Sequence, residues 1–279
     1  MIDRPIIFSP VMVTALLAGK KTQTRRLLRE PMPPAPSADS IHPSNAGRKL
    51  HAAPYFDAHC GERNTPANPR GMSERWCWWT RDDRQCLPTI RIGYAPGDRL
   101  WVRESAWIYG RWVRDGLTHK GVDRWRFRTS PERRVIYDDQ TAGRADELRR
   151  GLGDRNRPGD GFWLRPSIHV ERWASRLTLT VQEVRVQRLQ DITEDDALAE
   201  GITCERVIVG TNCNGGRHNE EWGDRFFFAG CDGEGFEDGI AAFSALWNSL
   251  HGPSAWQMNP HVVALTFQVH QGNIDRMPA

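Results

Sequence analysis

The stretch that most constrains the fold is residues 5–26, Pro-Ile-Ile-Phe-Ser-Pro-Val-Met-Val-Thr-Ala-Leu-Leu-Ala-Gly-Lys-Lys-Thr-Gln-Thr-Arg-Arg. Ile6, Ile7 and Phe8 read as a short buried strand. Ser9 suits a helix cap, and Pro10 fits the first helical turn, where no amide donor is required. Met12, Ala15 and Leu16 recur at helical spacing and give one apolar face. Gly19 stands where a left-handed C-terminal cap closes a helix. The chain then emerges through Lys20, Lys21, Thr22, Gln23, Thr24, Arg25 and Arg26, so ammonium, hydroxyl and guanidinium groups leave one helix end together. Lys21, Thr24 and Arg26 alternate loosely there, as a strand edge or a tight loop would present them.

Further strands follow from alternation. Pro96-Gly97-Asp98 is a turn, after which Leu100 and Val102 alternate with Arg99, Trp101 and Arg103. Leu177, Leu179 and Val181 alternate, then Val184 and Val186 continue in the opposite phase, which implies a bulge at Gln182-Glu183. Val263, Leu265 and Phe267 mark a closing strand. The segments 5–8, 98–104, 176–187 and 262–269 are expected in one curled sheet. Leu189 to Ile202 reads as a helix, with Thr193 as a cap, Asp196 three residues on, and Gly201 breaking or capping the end, and Ile240 to Leu250 forms a second amphipathic helix stopping near Gly252. Between these elements lie three segments read as insertions, at about 31–93, 138–161 and 204–235. The first is Pro- and Ser-rich without long periodicity and is expected to be partly irregular. The fold class is α+β, with helices at the ends of the sheet and the whole of 1–279 as one domain.

Lys21, Thr22, Thr24 and Arg26, following the strand, helix and Gly19, carry a resemblance to the ASCH family, a branch of the PUA-like superfamily. The run 5–26 is most similar to ASCH proteins carried by bacteriophages and prophages. Its Lys-Thr-x-Thr-x-Arg pattern also resembles the small bacterial ASCH enzymes that hydrolyse N4-acetylcytidine. Gly97-Asp98-Arg99-Leu100, Pro166-Ser167-Ile168-His169 and Trp173-Ala174-Ser175-Arg176 extend the likeness along the chain. The resemblance implies a PUA-like curled β-barrel whose core is more than doubled by insertions. In register, Glu200 falls on the catalytic glutamate of the small amidohydrolases.

The resemblance therefore implies catalytic roles for Lys21, Thr24 and Glu200. A threonine hydroxyl needs a base before it attacks, and a lysine serves as that base only when its amine is neutral. Burial and neighbouring cations both lower a lysine pKa, and Arg25 and Arg26 supply the cations. Glu200 would orient the amine or pass a proton to the departing nitrogen. Substrate-binding candidates are Arg26, Arg103, Trp107, Ser167, His169 and Trp173. Arginines suit phosphate or sugar, and tryptophan faces suit any base. Each has a plain structural alternative: a surface ion pair for the arginines, core packing for the tryptophans, a hydrogen-bonded strand histidine for His169.

Composition narrows the rest. The net charge is only +3, so no global basic field demands nucleic acid. Locally, residues 103–134 hold nine Lys or Arg against four Asp or Glu, whereas 191–239 hold thirteen acids against three bases. His59, Cys60, Cys77 and Cys86 are spaced too loosely for a zinc site, and no metal or cofactor is expected. The six cysteines form no Cys-x-x-Cys pair, which fits a reducing, cytoplasmic setting. Neither a signal peptide nor a membrane span is expected. The expected partner is a nucleoside or nucleic acid, RNA ahead of DNA, with the oligomeric state open. The competing reading is a module that binds RNA, DNA or a modified nucleotide without catalysis. Nuclease activity ranks below both, for want of a metal-ligand set or paired histidines.

Overall fold

The computed structural model describes residues 2–35, 55–61, 64–79, 85–149, 159–214, 217–231 and 233–277. The proline-rich run at 36–54 and the polar loop at 150–158 lie outside the described residues. The elements run β1 (Asp3–Ile7), α1 (Pro10–Leu17), β2 (Gln23–Leu27), β3 (Tyr55–Cys60), β4 (Met72–Trp79), β5 (Gln85–Arg91), β6 (Arg99–Arg103), β7 (Ala106–Leu117), β8 (Asp123–Thr129), β9 (Val135–Tyr137), β10 (Leu148–Arg149), β11 (Gly161–Arg165), β12 (Leu177–Arg188), α2 (Glu194–Ala199), β13 (Thr203–Asn214), β14 (Arg217–Phe227), α3 (Gly239–His251) and β15 (His261–Gln271). Among the described residues this is an α+β fold with four sheets and three α-helices. None of those helices is long and apolar enough to cross a membrane.

The four strands expected together do share a sheet, with β2 as its fifth member, in the order β1-β6-β12-β15-β2. β2 runs antiparallel to β15, with Thr24 opposite Leu265 and Arg26 opposite Val263. Val262, Val263, Ala264 and Leu265 are all buried in succession. Both faces of β15 are therefore covered, which a simple alternation at 263, 265 and 267 does not convey. In β12 the phase change shows as two adjacent exposed residues, Gln182 and Glu183, before Val184 is buried again.

By proximity of Cα atoms the chain forms two compact units: one of Met1–Ile2, Ala15–Arg99 and Leu179–Val269, the other of Asp3–Thr14, Leu100–Thr178 and His270–Ala279. Strands β6, β12 and β15 run from one into the other along the chain.

In the first unit α1 ends in a Schellman motif. The Lys20 amide donates to Ala15 O at 2.9 Å and the Gly19 amide to Leu16 O at 3.1 Å, with Gly19 at φ +69°. Thr193 caps α2 by accepting from the Asp196 amide at 3.2 Å. Asp238 caps α3 through the Ala241 amide at 2.6 Å, and Glu194 accepts from the Gly239 amide at 2.6 Å. Within 31–93, expected to be partly irregular, β3, β4 and β5 form an antiparallel sheet of their own and supply no strand to the five-stranded sheet. Register shifts at Ala58/Cys60 and Trp76/Trp78 break its period of two, so the sequence shows no clean alternation. Within 204–235, β13 and β14 pair antiparallel with a register shift at Ile208/Gly210.

The second unit carries the sheet β10-β11-β7-β8, with β9 on β7. One face packs Ala106, Ile108 and Tyr137 with Val170 and Ala174, and the other packs Trp107 with Ile136 and Phe162. Arg176 forks onto buried Glu104 at 2.8 and 2.9 Å and lies 4.1 Å from the Tyr137 ring. Burial, with Glu104 nearby, pushes the Tyr137 phenol up to about 12. At Gly110 the strands approach so closely that a Cβ would sit 2.3 Å from the Arg128 carbonyl. Gly110→Ala should therefore cost about 1–3 kcal/mol, read from urea unfolding, by prying β7 from β8; an unchanged midpoint would show the pair to be compliant there.

Candidate active site

β2 begins where the Gly19 turn releases the chain, and its backbone is fixed on two sides. The Thr22 amide donates to Ala199 O at 2.8 Å, and Thr22 O accepts from the Phe267 amide at 2.9 Å. Lys21 is thereby set beside the C-terminus of α2. Its Nζ donates to the Glu200 main-chain carbonyl at 2.6 Å and to Glu200 Oε2 at 2.7 Å. Gly201, at φ +102°, lets the chain turn away immediately afterwards; a Cβ at that position would lie 3.5 Å from Lys21 Cβ.

The second carboxylate oxygen belongs to Arg25. Arg25 Nη1 donates to Glu200 Oε1 at 3.0 Å, and Nη2 to Asp196 Oδ2 at 2.7 Å. Arg185 completes the chain by donating to Asp196 Oδ1 at 2.8 Å. Lys21 and Glu200 are only 2% and 3% exposed, so their contact lies beneath the surface rather than at an open mouth; Thr24, 4% exposed, is likewise buried but on the face of β2 opposite Arg25. A 520 Å³ cavity in this unit is lined by Arg185, Gln187 and Trp76 but by none of Lys21, Thr24 and Glu200.

Three cations, Lys21, Arg25 and Arg185, meet two carboxylates. Burial pushes the Lys21 amine below the ordinary lysine value of 10.5. The charge and hydrogen bond of Glu200 oppose that shift, and Arg26 and Arg25 add to it.

Alternation along β2 sends Gln23 and Arg25 to one face and Thr24 and Arg26 to the other. Lys21 precedes the strand, and its amine is influenced by both Arg25 and Arg26. Burial also lowers Arg26, with Tyr94 and Glu200 opposing, and Arg26 in turn helps to depress His251. The His251 ring lies 4.2 Å from the Trp247 ring, tilted by 36°. Arg26 therefore lies within electrostatic range of Tyr94, Glu200 and His251.

The remaining sequence candidates belong to the second unit. Arg103 donates to the Ile168 carbonyl and lies 5.3 Å from the Trp101 ring. Trp107 is corrected from a base-stacking residue to a core residue: it is 0% exposed, packed with Ile136 and Phe162, and offers no face to a ligand. Ser167 and His169 sit on a 3-10 turn, not on a strand, and His169 is exposed. Trp173 is half-buried against the Ala106–Ile108 cluster, and its indole donates to Glu171.

Sequence reasoning missed Asp196 and Arg185 and gave Arg25 only a general electrostatic part. One signal was available. Asp196 and Glu200 are four residues apart, so two carboxylates share a helix face, which is unfavourable without a cation between them. Among the described residues no cluster of three or more His, Cys, Asp or Glu side chains could hold a metal ion. Comparison of the chain with protein-family models, with curated proteins and with solved structures gives no match.

Proposed function

We propose that the chain is an ASCH-type amidohydrolase acting on a nucleobase or nucleoside, with Lys21, Thr24 and Glu200 as its reacting groups. The supporting observation is the buried Lys21 amine, held by Glu200 at 2.6 and 2.7 Å while Arg25 occupies the other carboxylate oxygen. In the proposed reaction Thr24 Oγ1 attacks the acyl carbonyl as neutral Lys21 takes its proton. The C–N bond breaks, and the proton passes from Lys21 to the departing exocyclic amine. Water then attacks the acyl-threonine ester, with Lys21 again as base, releasing the acid and free threonine. Glu200 fixes the amine throughout. A PUA-like curled sheet belongs to the same proposal, supported by the short connection 8–22 between its edge strands β1 and β2.

The near-complete closure of the cluster favours a second reading, in which Lys21 braces β2 against α2 and the protein binds a nucleotide without turning it over. A panel of acylated nucleosides, followed by mass, separates the two. The enzyme reading expects loss of the acyl group from at least one member. Turnover should rise with pH to a plateau, because only the deprotonated amine acts, and its midpoint should lie below 10.5. Binding of the same compounds with no product at any pH would replace the first reading by the second.

A further inference from the structure

The second unit contains a cleft that the Lys21 cluster does not use. It encloses about 620 Å³ and is lined by Trp112, Trp125, Phe127 and Trp163, with Arg126, Arg149, Arg165 and His169 among them and, among the described residues, no carboxylate. Strand register builds it. Trp112 faces Phe127 across β7 and β8, while Arg165 and Trp163 face Ala106 and Ile108 across β11 and β7. Trp125 stands opposite Arg114, and Arg149 opposite Trp163. Trp112, Trp125, Phe127, Arg149, Trp163 and Arg165 therefore share one face of the sheet. The rings meet edge to face, Trp112 to Phe127 at 5.4 Å and Trp112 to Trp163 at 6.4 Å. The Arg165 guanidinium lies 5.1 Å from the Trp112 ring and 4.7 Å from the Phe127 ring, and Arg149 lies 5.6 Å from Trp163. Trp125 makes no ring or cation contact among the described residues and lines the cleft half-buried.

The neighbouring edge gives an independent sign of an anion. On β8, Arg124, Arg126 and Arg128 are all exposed. Arg128 stands directly opposite Arg111 in the β7–β8 register. Like charges in that position destabilise a sheet unless something negative lies over them. Arg124 has Asp115 at 3.3 Å and Arg111 has Asp160 at 3.8 Å. Among the described residues Arg126 and Arg128 form no ion pair.

We infer that this cleft and the adjoining arginine row bind single-stranded nucleic acid. A base stacks on Trp125 within the aromatic cleft, and the strand then rounds the edge strand β8 to bring successive phosphates to Arg126 and Arg128 on the opposite face of the sheet. A pocket of this size holds a ligand of about one nucleotide, so neighbouring residues of the strand must run over the arginine row. The inference does not rest on the amidohydrolase reading, because its residues all belong to the other unit and need no turnover.

The test is fluorescence anisotropy with a labelled single strand of about ten nucleotides, RNA and DNA, at several salt concentrations. Wild type should bind the single strand more tightly than the duplex of the same sequence. Trp125→Ala should weaken binding by about ten-fold or more. Arg126→Ala should weaken it for all sequences and reduce the salt slope by about one. Far-UV circular dichroism checks each variant's fold, and the exposed Arg126 position carries the test if Trp125→Ala unfolds. Absence of wild-type binding at low salt, preference for duplex, or equal displacement by inorganic polyphosphate with Trp125→Ala unimpaired would each overturn the inference.

Discussion

Replacing Arg25 by methionine should lower the free energy of unfolding by about 3–5 kcal/mol, the cost of removing one partner from a buried ion pair. The Arg25 side chain is fully buried and bridges Glu200 and Asp196 at 3.0 and 2.7 Å. Methionine fills much of the same volume and keeps the packing toward Phe243, whose ring lies 5.8 Å from the guanidinium carbon. What it removes is the cation between two carboxylates on one helix face. Lysine should not restore the loss, since a point charge cannot bridge both carboxylates as the planar fork does. Combining Arg25→Met with Asp196→Asn should recover part of it, because the partner then left over, Arg185, is 35% exposed and can turn to water. Urea unfolding followed by tryptophan fluorescence measures all three. A deficit under about 1 kcal/mol would mean that the pair is worth no more than a surface contact.

The pH dependence of that deficit has a definite sign. Burial raises the Asp196 pKa, but the hydrogen bond from Arg185 and the charge of Arg25 outweigh it, so the net direction is down from 3.8. A carboxyl depressed by folding contributes its full stabilisation above the unfolded value and loses it as pH falls through the folded one. The gap between wild type and Arg25→Met should therefore narrow below pH 3.8 and stay constant above it.

The parts of this chain that sequence made legible are those in which local and tertiary signals agree. Residues 5–26 announce a strand, a helix and a glycine cap, and the Gly19 turn has the hydrogen bonds that such a cap requires. The caps at Thr193 and Gly252 were equally readable, because capping depends on one or two residues and their immediate neighbours. Sheets whose register slips were not. Trp76 and Cys77 are buried in succession on β4, and the bulge at Trp76/Trp78 erases the alternation that would have revealed the strand. β7 lacks clear alternation for a different reason. Ala106, Trp107 and Ile108 are all buried because both faces of that strand are covered, which turns a period of two into a plain apolar run. Within the candidate site, Lys21 and Glu200 were found together only through the family pattern. Their contact spans 179 residues of chain, and no local periodicity reports it.

If Thr24 is the nucleophile and Lys21 its base, Thr24→Val and Lys21→Met should each lower kcat by about 100- to 10,000-fold. Both substitutions suit a buried position. Valine keeps the branched shape of Thr24 and removes only the hydroxyl, and methionine keeps most of the stem of Lys21. Thr24→Ser, which restores a hydroxyl, should retain measurable turnover, so the hydroxyl and the packing are tested apart. The double variant should lose little beyond either single change, because groups that act as one unit are not additive. Glu200→Gln should reduce turnover less, since Arg25 and the Glu200 main-chain carbonyl still hold the amide and the amine in place. It should also shift the pH profile to lower pH, because a carboxylate that favours the charged amine is gone and the neutral base forms earlier. In the binding reading none of these kinetic effects exists; the same substitutions weaken affinity for the nucleoside by modest and roughly additive steps. Turnover that survives Thr24→Val unchanged would remove the threonine from the mechanism and leave Lys21 to activate a water molecule directly.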